Sequence, residues 1–324
     1  MTTMTMMAAL NNALHEIMEA DKDVIVLGED VGVNGGVFRI TVGLVEKYGE
    51  KRVLDTPLAE AGIVGFSIGM SLAGLKPVAE CQFSGFIYPA YQELVSHAAR
   101  IRNRTRGSFH CGMVLRAPYG GGIKALEHHA ESMEVVYGHV QGLKVVIPSN
   151  PYDAKGLLIA SIRDEDPVVF LEPKRLYHLS KGEVPEGLYE VPLGKANVVR
   201  EGTQLTLVAY GSMMFDCLNV VEELKDKYSI ELIDLRTISP MDSETVINSV
   251  KKTGRCVIVH EAPRTFGLAA ELIARINDKI FYSLEKPVER VTGYDVPFPL
   301  ALHEKHYLPD RENIIAGIEK IMKD

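Results

Sequence analysis

The sequence predicts an α/β protein of two doubly wound domains, and three observations carry that prediction. The chain has 324 residues, too many for one ordinary domain and enough to give each of two halves a full core. Apolar runs of strand length alternate with helix-period segments on both sides of its middle, the pattern of mostly parallel sheets covered on both faces. Between them, from Glu172 to about Gly194, a stretch rich in Pro, Gly, Glu and Lys lacks sustained apolar periodicity and reads as a linker. The expected division is residues 1–175, a linker at 176–194, and residues 195–324.

An amphipathic helix from about Met6 to Ala20 leads to the strand Val24 to Gly28, whose end carries Glu29-Asp30. In open α/β sheets ligands bind at the carboxyl ends of strands, so Glu29 is placed to meet one. Gly32 to Gly36 forms a loop, Thr41 to Tyr48 a short helix, and Arg52 to Asp55 a strand feeding the central stretch Asp55-Thr56-Pro57-Leu58-Ala59-Glu60. Thr56 suits a helix cap and Pro57 a first helical position, so a helix is expected to start at Pro57. Apolar residues surround its glycines Gly62, Gly65 and Gly69, which predicts a buried helix with close backbone packing. Glu60 then lies in the first turn of a buried helix. Acidic residues favour that place for the helix dipole alone; a buried carboxylate also needs a partner or a proton, and that partner can be a ligand nitrogen.

The strand Pro77 to Phe83 opens into Ser84-Gly85-Phe86-Ile87-Tyr88-Pro89, and a helix runs on to about Asn103. The default role of Phe83, Phe86, Tyr88 and Tyr91 is core, but their position after a strand end suits the wall of a heteroaromatic site. Met113 to Arg116 reads as a strand. Beyond it Gly120-Gly121-Gly122 gives a mobile loop that returns through His128 and His129 to a helix near Ser132. His129 and Glu131 are two potential metal ligands, too few for a closed site. A loop histidine is commonly just exposed; facing a crevice, it can carry protons near neutral pH. Lys144 to Ile147, Asp153 to Ile162 and Val168 to Leu171 complete the first half. The second alternates strands at Leu205, Glu231, Cys256 and Val288 with helices from Met213, Ser243, Phe266 and Glu312.

Net charge is -8, and the basic run Arg100 to Arg106 stands alone, which argues against nucleic acid as a partner. Cys81, Cys111, Cys217 and Cys256 form no Cys-x-x-Cys pair, so neither a zinc ribbon nor a disulfide framework is expected, and a cytoplasmic location fits best. No run of 18 apolar residues suggests a membrane span. Neither a Gly-x-Gly-x-x-Gly fingerprint nor a Walker loop is present. The Gly-Asp-Gly and paired asparagines that hold a magnesium diphosphate in thiamine enzymes are absent too.

Leu27-Gly28-Glu29-Asp30-Val31-Gly32, Gly35-Gly36-Val37-Phe38, Asp55-Thr56-Pro57-Leu58-Ala59-Glu60, Glu80-Cys81-Gln82-Phe83, Gly142 to Pro148, Asp153 to Leu158, Ile162 to Val169 and Asp234-Leu235-Arg236-Thr237-Ile238 follow one another in order along nearly the whole chain. Together they resemble the beta subunit of the thiamine-diphosphate-dependent 2-oxo acid dehydrogenases, the decarboxylating component of the pyruvate and branched-chain 2-oxo acid dehydrogenase family. The resemblance implies a thiamine-binding pyrimidine-type domain followed by a transketolase C-terminal-like domain. It makes Glu60 the glutamate that bonds the aminopyrimidine ring, with Glu29, Leu58, Ala59, Gln82, Phe86, Ile87, Tyr88 and Pro89 lining the cofactor. Phe83, Ser84, Gly85, Phe86 and His129 would border the substrate, and Glu60 and His129 would be catalytic. His129 usually precedes Ser-Gln or Ser-Asp in the family; here Ala130-Glu131 follows, which bears on how the ring is oriented.

Main-chain carbonyls near Cys111, Met113, Val114, Ser161 and Asp166, with the Asp164 carboxylate, resemble the family's potassium site. The missing diphosphate grip is implied to come from an alpha subunit that also holds magnesium, giving an α2β2 heterotetramer. The C-terminal domain, through Asp324 and nearby acids, would dock a lipoyl acyltransferase core. The implied reaction is oxidative decarboxylation of a 2-oxo acid with acyl transfer to the lipoyl group; acetoin cleavage and a non-catalytic assembly role are the alternatives.

Overall fold

The computed structural model describes residues 1–323, and Asp324 lies outside the described residues. Among these residues the first sheet has seven strands in the order Thr237–Ser239, Lys144–Val146, Val168–Pro173, Val114–Tyr119, Lys76–Glu80, Val24–Gly28 and Val53–Asp55. All run parallel except Thr237–Ser239. The second sheet orders Glu289–Gly293, Cys256–Pro263, Leu205–Ala209, Ile230–Asp234 and Asn197–Arg200, with the last antiparallel. Two largely parallel α/β sheets thus form, and the strand Thr237–Ser239 from the second half of the chain joins the edge of the first. They share a core, because Val145 and Ile147 cluster with Val208, Tyr210 and Ile233. Among the described residues no helix is long and apolar enough to cross a membrane.

Local chemistry explains the elements that match. The helix Met6–Ala20 begins where the Thr5 hydroxyl accepts the Ala8 amide at 3.2 Å and buries Leu10, Leu14 and Ile17, one face of a 3.6-residue period. The strand Val24–Gly28 is buried throughout, as a central parallel strand must be.

Four expectations need correction. The central helix spans Glu60–Leu72 rather than starting at Pro57. The Thr56 amide donates to the Gly28 carbonyl at 3.0 Å, which prolongs the extended backbone, and Pro57 disfavours the helical region at Thr56. That helix is buried only on the side of Ile63, Val64, Ser67, Ile68 and Met70, while Phe66 is 60% exposed. The helix expected to continue to Asn103 is broken into the 3-10 turn Ser84–Ala90, helices Tyr91–Ser96 and Ile101–Arg104, and the turn Ala98–Arg100 between them; Pro89 lies inside the first piece. The linker contains the helix Leu176–Leu179 and the strand Lys181–Val184, which pairs with Thr2–Thr5.

Beneath the carboxyl ends of the first sheet lies a buried charge cluster. Arg116 donates to Glu80 at 2.8 Å and to both oxygens of Glu172 at 2.7 and 3.1 Å, and the Tyr177 hydroxyl donates to Glu172 at 2.6 Å. Arg116, Glu80 and Glu172 are all buried. Burial raises the Glu80 pKa, against the pull of Arg116. Truncation of one member leaves buried charge without its partner, which costs far more than the pair contributes. Arg116→Ala is therefore expected to lower unfolding stability by about 3–5 kcal/mol, measured by urea denaturation; a midpoint unchanged from the parent would show that the two carboxylates do not depend on the guanidinium.

Candidate active site

The chain leaves Val24–Gly28 towards Val53–Asp55 on one side and then crosses to Lys76–Glu80 on the other. Adjacent strand ends at such a reversal leave a crevice that suits a ligand. Here they deliver Glu29 and Gln82, and the Gln82 amide reaches the Asp30 carboxylate at 3.5 Å. Gly28 has φ +154, and a Cβ there would stand 2.6 Å from the Glu80 carbonyl, so the two backbones approach as closely as they do because that residue is glycine.

Glu29 is half-buried, and its Oε1 is buried without a hydrogen-bond partner among the described residues. Burial raises its pKa above the usual carboxylate value, and the charges of Glu60 and Asp30 raise it further. Glu60 thus lies within electrostatic reach of Glu29. It is half-buried rather than sequestered, at the entrance of a helix whose outer face is open: Leu58 is 77% exposed, and Ala59 is exposed beside it.

The aromatic wall comes from the 3-10 turn after Lys76–Glu80 and from two loops. Phe83 meets Phe86 at 5.4 Å, Phe38 at 5.6 Å and His129 at 4.4 Å between ring centroids, and Phe86 meets His129 at 5.0 Å. The His129 Nδ1 is buried without a hydrogen-bond partner among the described residues. A Cβ on Gly85 would fall 2.2 Å from the His128 carbonyl, so glycine lets the two loops touch. The Ser84 hydroxyl donates to the Glu131 carbonyl at 3.1 Å, and the Tyr88 hydroxyl donates to the Glu131 carboxylate. Burial and that carboxylate both push the Tyr88 pKa up. Glu131 therefore braces the turn that carries His129. Tyr88 and Pro89 are exposed, whereas Ile87 is fully buried in the core.

The residues expected at a potassium ion lie together at the opposite end of the same sheet. Lys144 Nζ donates to both oxygens of Asp164 at 2.7 and 2.6 Å, so an ammonium already neutralises that carboxylate. The Asp164 amide donates to the Ser161 carbonyl and the Val168 amide to the Met113 carbonyl. Cys111, Met113 and Val114 are buried alongside, and Asp166 is half-buried. Among the described residues no group of three or more His, Cys, Asp or Glu side chains is placed to hold a metal.

Phe38 and Lys174 also stand against the aromatic wall, through Phe83; the sequence marks Phe38 only as part of a motif and Lys174 not at all as a site residue. Lys174 Nζ stands 5.7 Å from the Phe83 ring centroid and donates to the His129 carbonyl. Its position just past the strand Val168–Pro173 was the available signal, since strand ends supply ligand-facing residues in this architecture.

Residues 2–180 match the family described as transketolase, pyrimidine binding domain, and residues 194–314 match transketolase, C-terminal domain. The chain is 55% identical over 324 residues to the pyruvate dehydrogenase E1 component subunit beta of Acholeplasma laidlawii, covering 100% of this chain and 99% of that one. Identity to the Bacillus subtilis subunit of the same name is 48%, covering 100% of both chains. Identity to the mitochondrial 2-oxoisovalerate dehydrogenase subunit beta of Dictyostelium discoideum is 51%, covering 98% of this chain and 86% of that one. A solved split-gene transketolase, an inactive beta4 tetramer, shares the fold with a TM-score of 0.80 at 21% identity, covering 98% of each chain.

Because Glu60 raises the Glu29 pKa, Glu60→Gln is expected to move the Glu29 titration towards lower pH. Infrared titration of carboxylates in parent, Glu60→Gln and Glu29→Gln proteins measures this; an unmoved Glu29 midpoint would place the two groups too far apart to share a ligand.

Proposed function

The chain belongs to the family of 2-oxo acid dehydrogenase E1 beta subunits, and from that membership we propose that its crevice binds the aminopyrimidine part of thiamine diphosphate for oxidative decarboxylation of pyruvate or a branched-chain 2-oxo acid. Membership favours this reading over acetoin cleavage and over a non-catalytic assembly subunit. The observation that carries the site assignment is that Glu29, with its unpartnered buried carboxylate oxygen, and the aromatic wall of Phe83, Phe86 and His129 follow the ends of adjacent strands at the switch point of the first sheet, where the helix opened by Glu60 packs against the turn Ser84–Ala90. The partnerless buried atoms Glu29 Oε1 and His129 Nδ1 fit a heterocycle that brings its own hydrogen-bonding groups, since buried polar atoms ordinarily have partners.

When bound, thiamine diphosphate supplies a nucleophilic carbon and an electron sink for loss of carbon dioxide. Glu60 would hold a proton against a ring nitrogen, and its charge would be less screened once the crevice is closed. Gln82 and Phe86 would fix the ring laterally, with Leu58 and Ala59 at the edge. Phe83 and Phe86 would exclude water beside the substrate, and His129 would pass a proton during acyl transfer to a lipoyl group. The exposed apolar face with Leu58, Phe66 and Leu72 supports an alpha subunit seated there, because such patches mark interaction surfaces. That subunit would supply the diphosphate and magnesium grip. An acyltransferase core and a potassium ion near Asp164 complete the proposal; the ion would share the Asp164 carboxylate with Lys144.

In the complex co-produced with an alpha subunit, Glu60→Gln is expected to preserve assembly and reduce decarboxylation by at least about a hundredfold, the scale of losing a preorganised charged contact. The check is 2-oxo acid turnover with a dye acceptor; near-normal turnover would refute the role. His129→Ala is expected to depress lipoyl acylation more than dye-coupled decarboxylation, by about 10²–10⁴-fold, and equal losses in both assays would count against it.

A further inference from the structure

The loop carrying His129 departs from the sheet at Gly120 with left-handed backbone at Gly120, Gly122 and Lys124. Three glycines in sequence predict a mobile segment, yet it is gripped from the second domain. Glu304 opens the short helix Glu304–Tyr307 and is buried. Its Oε1 accepts the Gly122 amide at 2.5 Å and its Oε2 accepts the Lys124 amide at 2.7 Å. Both carboxylate oxygens are thus spent on loop backbone, in charge-assisted bonds. From the first domain, Lys174 Nζ donates to the carbonyls of Gly120 and His129, bracketing the loop at its start and at the histidine itself. Ala130, next in the chain, is fully buried in a cluster with Phe298, Tyr307 and Leu308. The glycines allow this fit: a Cβ on Gly120 would stand 2.1 Å from Glu261 Oε1, and one on Gly121 would stand 2.9 Å from the Phe298 ring.

We propose that Glu304 and Lys174 are positioning residues for His129, so that the second domain sets where the proton-carrying ring stands. The inference rests on the proposed role of His129 in acyl transfer. Both act through loop backbone, Glu304 at Gly122 and Lys124 and Lys174 at Gly120 and the His129 carbonyl. Burial pushes the Lys174 pKa down while Glu261 and Glu304 pull it up. Burial and the charge of Glu134 push Glu261 up, opposed by Lys174 and Arg175. Burial outweighs the attraction at both groups, and what holds Lys174 in place is its pair of bonds to the Gly120 and His129 carbonyls.

The test uses Glu304→Gln in the full complex with the alpha subunit. Glutamine keeps one acceptor and turns an N–H₂ towards the other amide, so hydrogen exchange in the peptide covering residues 120–125 should quicken by about tenfold, the scale of one lost hydrogen bond to a charged group. Lipoyl acylation should fall by about tenfold or more, as small misplacements of a reacting group do, with dye-coupled decarboxylation little changed. In the His129→Ala background the same substitution should cost less than about twofold, because residues acting through one group are not additive. Glu304→Asp keeps the charge but shortens the reach, and supplies a second, milder variant for both readouts. Unchanged exchange at 120–125, or acylation losses that multiply in the double variant, overturn the proposal. If His129→Ala itself leaves acylation intact, the reading of His129 fails, and the exchange result still decides whether Glu304 holds the loop.

Discussion

The bonding of one buried guanidinium to two carboxylates underlies the arrangement of the site. Arg116 joins Glu80 and Glu172 across three neighbouring strands, and each of those strands ends in a different part of the crevice. Lys76–Glu80 runs into Gln82, Phe83 and Phe86; Val114–Tyr119 into the glycine loop and His129; Val168–Pro173 into Lys174. A hydrophobic pair at this place could be as stabilising, because burying charge is expensive. What the ionic cluster adds is direction: a planar, multidentate donor permits little slippage between partners. The strand ends are thereby fixed relative to one another before any loop is considered.

The elements that could be read in the sequence are those whose reasons are local. Thr5 caps its helix through its own hydroxyl, and Val24–Gly28 is apolar throughout because both of its faces are covered. Elements whose partners are remote were not legible. Thr237–Ser239 is a strand only because Lys144–Val146 lies beside it, and Thr2–Thr5 only because Lys181–Val184 does. The late start of Glu60–Leu72 has the same origin, since the bond that keeps Thr56 extended goes to Gly28 on a neighbouring strand. Local propensity proposes, and tertiary pairing overrides.

The site divides along the same line. Glu29 and Phe86 stand out as candidates because they follow strand ends, which topology alone makes candidates, whereas Gln82 falls inside the expected strand and is marked only by the family resemblance. For Glu29 and Phe86 the resemblance sharpens that choice. Lys174 follows a strand end as well, but nothing local marks what it binds, and Glu304 carries no mark at all, since both hold backbone of a loop far away in sequence. Glu131 was noticed as a possible metal ligand, whereas it braces a turn through the Tyr88 hydroxyl.

The half-open state of Glu60 follows from the helix it begins. On the inner side Ile63, Val64 and Ile68 pack into the core; on the outer side Phe66 and Leu72 stand exposed in one stripe with Gly62 and Gly69. A monomeric surface seldom leaves such a stripe uncovered, and glycines in a helix cost about 1 kcal/mol each against alanine, an expense with no return unless another backbone comes close. The same surface that leaves Leu58 and Ala59 exposed is the one beside the acidic pair. In the proposed reading, a subunit covering that stripe would also close the crevice and lower the dielectric around Glu60. Assembly and activation of the carboxylate would then be a single event, because a charge gains its full influence on a bound ring only after water has been removed from its other side.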